Sequence, residues 1–311
     1  MSATALVTGG AGFIGSHLAE ALVAEGYDVR VLDSLATGHR RNLANLEGRI
    51  EFIEGDAADF ADCQRAVDGV DTVFHQAAIP SVPRSIREPL LSHRNGPLAT
   101  LNMLEASRQA GARRFIFAAS SSAYGNTPTL PKHEEMTPAP LSPYAVGKLS
   151  GEHYVRVFAR TMGLDGVSLR YFNVFGPRQD PSSPYSGVIS RFAEFMTEGK
   201  RPTIYGDGGQ TRDFTFVENA VHANLLAMRA PGRLDGEVYN VGTGERISLL
   251  DLSHAINEIL GVQLEPIFEP ERAGDVRDSL ASLEKIEAGL GYKPLVSFRE
   301  GLRRTLQVRG A

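Results

Sequence analysis

Thr8-Gly9-Gly10-Ala11-Gly12-Phe13-Ile14-Gly15 follows a short apolar run, Ala3 to Thr8, and opens a segment that carries His17, Leu18 and Leu22. The glycine spacing is G-x-x-G-x-x-G. Without side chains at Gly9 and Gly12, a pyrophosphate can approach the backbone N–H groups at a helix N-terminus, and Gly15 lets helix and strand pack closely. A glycine pattern alone is weak. Here it sits between strand and helix, and Asp33 closes the next apolar run, where a carboxylate can accept hydrogen bonds from both ribose hydroxyls. The same carboxylate repels a 2′-phosphate, which favours NAD over NADP, with Arg40 and Arg41 as the counter-argument because a nearby arginine can accommodate that phosphate. Asp56, at the end of the third run, either meets the adenine or caps the following helix.

Outward from this loop, apolar runs alternate with helix-like segments of about 10 to 15 residues, the pattern of βαβ units and a parallel sheet. Strands are expected at Ala3 to Thr8, Asp28 to Leu32, Ile50 to Glu54, Thr72 to Gln76, Arg114 to Ala119 and Gly166 to Tyr171, with shorter ones at Pro202 to Tyr205 and Glu237 to Val241. The fold class is therefore α/β, a Rossmann-like doubly wound parallel sheet with a smaller mixed α/β C-terminal lobe. The expected division is 1–175 for the dinucleotide domain and 176–311 for the lobe, with parts of about 210–245 returning to the first domain. In such sheets ligands sit beyond the carboxyl ends of the strands, so function is sought in the turns there.

The chain has 311 residues, 42% of them hydrophobic and 22% charged, with 32 Gly and 17 Pro. This is ordinary for a globular protein and excludes a disordered or collagenous one. A net charge of −5 carries no footprint of a nucleic-acid or anionic-membrane partner. One cysteine, Cys63, excludes an intrachain disulfide or a cysteine-based zinc cluster, and it is expected to be inert. No metal site is expected. No uncharged stretch reaches the ~18 residues of a membrane helix, and the first residues lack a signal-peptide pattern. The expectation is a cytoplasmic protein that acts on a small molecule.

Ser142-Pro143-Tyr144-Ala145-Val146-Gly147-Lys148 places Tyr144 and Lys148 on one face of a helix. A free phenol, with a pKa near ~10, is a poor base at neutral pH. A neighbouring ammonium and a positive nicotinamide ring would favour the phenolate. Such a pair is common by chance, but here it follows Phe115 to Gly125, where a strand ends in Ser120-Ser121-Ser122. His75 lies on a strand and reads as a packed histidine.

Together with Asp33, Asp56 and the glycine loop, Ser120, Tyr144/Lys148, Arg170-Tyr171-Phe172-Asn173, Gly206-Asp207-Gly208, Arg212-Asp213-Phe214 and Arg272-Ala273-Gly274-Asp275 occur in one order along the chain. In that order the sequence resembles, over essentially its whole length, the extended short-chain dehydrogenase/reductase family, specifically its sugar-nucleotide 4-epimerases. The stretch from His75-Gln76-Ala77-Ala78 through Ser81-Val82-Pro83-Arg84-Ser85, with the serine run, is similar to the branch that acts on UDP-N-acetylhexosamines. One departure is Asn95-Gly96-Pro97: either Asn95 is displaced by one position, or a cofactor-side hydrogen bond is missing.

What the resemblance implies is an NAD-dependent 4-epimerase that interconverts UDP-N-acetylglucosamine and UDP-N-acetylgalactosamine through a 4-keto sugar. UDP-glucose 4-epimerisation is the alternative, and a non-catalytic nucleotide-binding protein is the reading from another class. Tyr144 would be the base, Ser120 would bind the sugar 4-OH, and Lys148 would hold the nicotinamide ribose and lower the phenol's pKa. NAD would be held by Gly9, Gly12, Phe13, Ile14, Gly15, Asp33, Asp56, Ala57, Gln76, Ala77, Ala78 and Tyr171 as well as by Tyr144 and Lys148. The UDP-sugar would meet Ser81, Ser121, Ser122, Asn173, Val188, Tyr205, Arg212, Arg272, Asp275 and Ser279. Judged singly, Arg212 and Arg272 read as surface arginines and Ser279 as a surface serine. A small Ser279 would leave room for an N-acetyl group. Dehydration or decarboxylation needs a carboxylate after Ser120, where Ser121 and Ser122 stand instead. A homodimer is implied through Leu98 to Gln109 and Tyr144 to Arg160, on the strength of Leu101, Met103, Val155 and Phe158; the alternative is that these face the sheet.

Overall fold

The computed structural model describes residues 3–180, 187–271 and 276–307. The chain begins β1 (Thr4–Thr8), α1 (Phe13–Ala24), β2 (Asp28–Asp33), β3 (Ile50–Glu54), α2 (Phe60–Val67) and β4 (Thr72–His75). Short helices α3 (Val82–Arg87) and α4 (Pro89–His93) lead through a π-helical turn, Arg94–Leu98, into α5 (Ala99–Gln109). Then come β5 (Arg114–Ser120), α6 (Pro143–Thr161) and β6 (Asp165–Tyr171). These strands match the sequence-based bounds to within one residue.

The main sheet is parallel, in the order β1 between β2 and β4, with β3 beyond β2 and β5 then β6 beyond β4. Strands β5 and β6 are buried almost throughout, which is why they read as continuous apolar runs rather than alternating ones. The strand order reverses between β1 and β4, and this is the crevice where an open α/β sheet takes a ligand.

The remaining elements are β7 (Val174–Phe175), α7 (Val188–Thr197), β8 (Thr203–Tyr205), β9 (Thr211–Arg212), β10 (Thr215–Phe216), α8 (Val217–Arg229), β11 (Glu237–Val241), β12 (Ile247–Ser248), α9 (Leu249–Leu260), β13 (Ile267–Glu269), α10 (Glu284–Leu290) and α11 (Phe298–Gln307). Strand β11 pairs in parallel with β6 and completes the seven-stranded sheet. Leu18 and Leu22 of α1 and Ala220 and Ala223 of α8 cover one face of that sheet. Cys63 of α2, Met103 and Leu104 of α5, and Val155 and Phe158 of α6 cover the other. A second core, with Ile189 and Phe192 of α7, Leu252 and Ile256 of α9 and Leu302 of α11, builds the lobe. Phe13 and Ile14 at the start of α1 pack against it, so the glycine loop and the lobe share a boundary.

Two expectations are corrected here. Met103, Val155 and Phe158 are buried in the core and Leu101 packs against it, so the residues thought to mark a dimer surface face the sheet, because helices beside a central sheet are covered on more than one side. Asp56 does not cap α2. Asp59 does, accepting from Ala61 N at 2.9 Å. Asp56 lies one turn earlier, accepts from Ala58 N and pairs with Arg94 at 2.6 Å.

Candidate active site

At the carboxyl edge of the sheet the register aligns Thr8 with His75 and Ser120 with Tyr171. In the β1–α1 turn, Gly9 adopts φ +66°, and a Cβ there would lie 2.8 Å from Ala77 Cα and N. A Cβ on Gly15 would lie 2.2 Å from Gly9 O. Only glycine permits this closeness, and the turn holds itself with Gly12 N donating to Gly9 O at 3.0 Å. The open N-terminus of α1 thus faces the crevice with free amide donors, a cradle that fits a dinucleotide pyrophosphate. Asp33, only 7% exposed, ends β2 and accepts from Ala11 N at 2.9 Å and Leu35 N at 2.8 Å. Burial raises its carboxyl above the usual range, and these two amide bonds oppose the rise. Arg40 turns away to Glu54 at 3.1 Å and to the face of Phe52, so it does not offset the charge of Asp33.

Gln76, Ala77 and Ala78 follow β4. Gln76 joins a buried network: Tyr171 Oη donates to Gln76 Oε1 at 3.2 Å, and Asn224 of α8 donates to Tyr171 Oη at 2.6 Å. Burial holds the Tyr171 phenol up at about 12, so that hydroxyl is neutral. Ala77 N donates to Thr8 Oγ1 at 3.2 Å. The carbonyl of buried Ala57 accepts from Cys63 Sγ at 3.2 Å, and burial pushes this thiol up to about 12.

The structure brings Ser120, Tyr144 and Lys148 together. Ser142 Oγ caps α6 by accepting from Ala145 N at 3.2 Å, with Pro143 at the first helical position. This start aims Tyr144 at the end of β5, where Ser120 lies near enough to oppose the rise of its phenol. Ser120 also accepts from Ser122 N and Ser122 Oγ, at 3.2 and 2.9 Å, so the serine run, with Ser121, forms one turn. Lys148 Nζ donates to Ala118 O at 2.7 Å and lies 5.0 Å over the Phe117 ring. Burial lowers the Lys148 amine to about 8, opposed by the charge of Glu152. Burial raises the Tyr144 phenol above its ordinary value, opposed by Ser120. The Lys148 ammonium is seated on the Ala118 carbonyl, 6.0 Å from the Tyr144 ring centroid, so the phenol is raised here and its ionisation is expected to need the nicotinamide charge as well as the lysine. His75 is fully buried, bonded through its ring nitrogens to Thr8 and Thr100, and held down to about 3 by burial and by Lys148.

The lobe contributes a cavity of about 260 Å³. Asn173, Val188, Tyr205 and Arg212 all line it, although they come from the end of β6, α7, β8 and β9. Asn173 has φ +31° and its Nδ2 donates to Asp213 O at 3.3 Å. Gln179 and Gln210, absent from the sequence-based set, also line the cavity; Gln210 stands two residues before Arg212, and that nearness was the available signal. Fully buried Asp213 accepts from Thr243 N, Gly244 N and Ala281 N and thereby ties the loops behind the cavity. Ser279 is 8% exposed, not a surface residue, and its N donates to Thr211 O at 3.1 Å, beside Arg212. Ser81 is 4% exposed and caps α3 by accepting from Arg84 N at 3.1 Å. Arg272 and Asp275 lie outside the described residues. Asn95 sits in the π-helical turn, which carries Pro97 and accommodates one extra residue, and its amide donates back to Leu91 O at 2.9 Å.

The sequence profile of the NAD dependent epimerase/dehydratase family matches residues 5–242. The chain belongs to that family. NAD is its cofactor, and the glycine cradle and Asp33 fit that group. The chain is 38% identical to the UDP-glucose 4-epimerase of Mycolicibacterium smegmatis over 307 residues, 97% of each protein. Among solved structures it is similar to the UDP-N-acetylglucosamine 4-epimerase of Methanobrevibacter ruminantium in complex with UDP-N-acetylmuramic acid, with TM-score 0.94, 38% identity and full coverage of both chains. It is also similar to the Thermus thermophilus UDP-glucose 4-epimerase in complex with NAD, with TM-score 0.90, 41% identity and 99% coverage of both chains. Among the described residues, no helix is long and apolar enough to cross a membrane.

Proposed function

We propose that this NAD-dependent UDP-sugar 4-epimerase interconverts UDP-N-acetylglucosamine and UDP-N-acetylgalactosamine. The observation that carries the choice of sugar is the small, buried Ser279 beside the strand that brings Arg212 to the cavity. A serine leaves room at sugar C2 where a tyrosine would fill it. The hydroxyls of Ser121, of Ser81, which still has its proton to donate, and of Ser122, which still has a lone pair to accept, would pair an acetamido group, whose amide would cost about 1–3 kcal/mol if buried unpaired. The Methanobrevibacter relative supports this reading; the Mycolicibacterium one supports UDP-glucose as a second substrate.

Tyr144 accepts the proton of the sugar 4-OH while Ser120, at the end of β5 beside it, hydrogen-bonds the same hydroxyl. The bound dinucleotide supplies a reversible hydride acceptor for sugar C4. Lys148 provides the buried positive charge that favours a phenolate at Tyr144. Asn173, Tyr205, Arg212, Arg272 and Asp275 hold the UDP, and guanidinium forks suit diphosphate oxygens. Firm contacts to UDP beside few contacts to the sugar let the 4-keto ring turn over and be reduced on its other face.

Incubation with each UDP-sugar, followed by proton NMR, should show inversion at C4 of both N-acetylated sugars. Ser279→Tyr should suppress that pair and spare UDP-glucose and UDP-galactose. An unchanged ratio of kcat/KM between the pairs would remove Ser279 from the selection.

A further inference from the structure

Helix α6 carries a third polar residue on the face of Tyr144 and Lys148. Glu152 stands one turn beyond Lys148, 3% exposed, and meets Arg170 of β6 in a two-pronged pair: Arg170 Nε donates to Oε1 at 2.8 Å and Nη2 to Oε2 at 2.7 Å. The side chain of Arg170 is 4% exposed, and its guanidinium carbon lies 4.6 Å over the Tyr124 ring. Arg170 Nη1 has no hydrogen-bond partner among the described residues, so Glu152 is the anion that compensates this cation. A buried ion pair is no better for stability than packed apolar residues of similar volume. Its position on the Tyr144/Lys148 stripe, however, has an electrical consequence.

Around it lie two buried cations, Arg170 and Lys148, with Glu152 as the carboxylate that Arg170 holds directly; the Tyr124 and Tyr144 phenols are raised above their ordinary values, and the Glu134 carboxyl also feels the Arg170 charge. His75, which faces Lys148 from β4, stays neutral. The charges on the other helices beside α6 are engaged elsewhere: Arg84 with Glu88, Arg94 with Asp56, Glu105 with Arg108. From β11, Asn240 N donates to Glu134, whose carboxyl burial raises above its usual range. Glu152 is the anion whose field opposes the discharge of Lys148.

We propose that Glu152 is a positioning residue for the Tyr144/Lys148 pair: its carboxylate, clamped by the Arg170 fork, keeps the Lys148 ammonium charged and seated against the Ala118 carbonyl. This rests on the reading of Tyr144 and Lys148 as the working pair. Without the carboxylate, Lys148 loses its attractive charge and faces an uncompensated Arg170. Both changes favour the neutral amine, and a neutral Lys148 gives Tyr144 no help in ionising. The lysine must be protonated to act, so the loss appears first on the alkaline side.

The test reads Lys148 itself. The chain has lysines only at 132, 148, 200, 285 and 293, so the 13Cε resonances of labelled lysine are few, and that of Lys148 is assigned by its loss in Lys148→Arg. In the NAD-loaded protein, Glu152→Gln should lower the Lys148 titration midpoint by roughly one pH unit, with a matching fall of roughly tenfold in kcat above that midpoint. The alkaline limb of the kcat profile should move to lower pH by the same amount, with KM for the UDP-sugar within about twofold. Glu152→Asp, which keeps the charge, should restore most of both. If Glu152→Gln melts too readily to titrate, Glu152→Gln with Arg170→Met removes both charges and should recover stability, with the midpoint falling by less than in the single variant because the repulsion of Arg170 goes with the carboxylate. A Lys148 midpoint unmoved in the Gln variant, or one that does not fall at all in the double variant, overturns the proposal. Tyr144→Phe separates this from the function reading: retained epimerisation there sinks the working pair, whatever Lys148 does.

Discussion

Lys148 shows how a residue chosen by spacing acquires its properties from burial. Four positions after Tyr144 it could have been a solvated surface lysine, but it is 7% exposed and its amine is lowered to about 8 from the ordinary 10.5. A folded chain that holds this proton more weakly than the unfolded one gains stability as pH rises between those two values, because the unfolded state then binds more protons. Lys148→Met removes the effect. Wild type should therefore gain on the order of 3 kcal/mol relative to Lys148→Met between pH 8 and pH 10.5, measurable by urea unfolding at several pH values. A constant difference across that range would show that the charge is not buried in solution. His75 and Cys63 illustrate the converse. Both are residue types with catalytic uses, yet burial leaves one neutral and the other a thiol.

At the scale of elements, the end of β2 and the β1–α1 turn form one unit. Asp33 sits where a ribose would come, and it also holds two backbone amides. Asp33→Ala should therefore do more than change cofactor choice: leaving the buried Ala11 N–H unpaired costs about 1–3 kcal/mol and the half-buried Leu35 N–H less, so a lower melting temperature should accompany weaker NAD binding. Asp33→Asn keeps an acceptor and drops the charge. It should recover part of the stability that Asp33→Ala loses, since one of the two amides keeps its acceptor, while raising affinity for NADP relative to NAD, because the repulsion of the 2′-phosphate is gone. Calorimetry with both dinucleotides checks this, and a wild type that already prefers NADP would contradict it. The π-helical turn before α5 is a second case, in which a turn with one more residue than an α-helical one, carrying Asn95 and Pro97, runs straight into the helix that follows.

At the scale of the whole molecule, the dimer that the sequence leads one to expect would have to be built from exposed apolar residues. The outward stripe of α6 is apolar at Val146, Tyr154 and Val157, which are 50%, 36% and 49% exposed. Leu98 and, on α3 and α4, Ile86 and Leu90 are also exposed. These replace Leu101, Met103, Val155 and Phe158 as the surface a dimer would cover. Single exposed apolar side chains are ordinary, whereas a contiguous patch marks a surface that a partner covers. Light scattering at micromolar concentration should report twice the chain mass, and Val157→Asp should halve it. A wild-type monomer would refute the dimer.

How much was legible depended on the range of the interaction. The glycine loop, the strand bounds and the Tyr144/Lys148 spacing rest on turn chemistry and on periodicity within a few residues, which the sequence displays directly. By itself it determined the parallel α/β architecture, the dinucleotide turn and the serine, tyrosine and lysine at the end of β5 and on α6. The tertiary structure alone decided which apolar residues of α5 and α6 face the sheet, that Asn224 would hold Gln76 from 148 positions away, and that Asn173, Val188, Tyr205 and Arg212 share one cavity. It also decided that Glu152 would meet Arg170 beside Lys148. These outcomes depend on strand order and on the exclusion of water. Both arise from packing between segments distant in sequence, and no local pattern carries them.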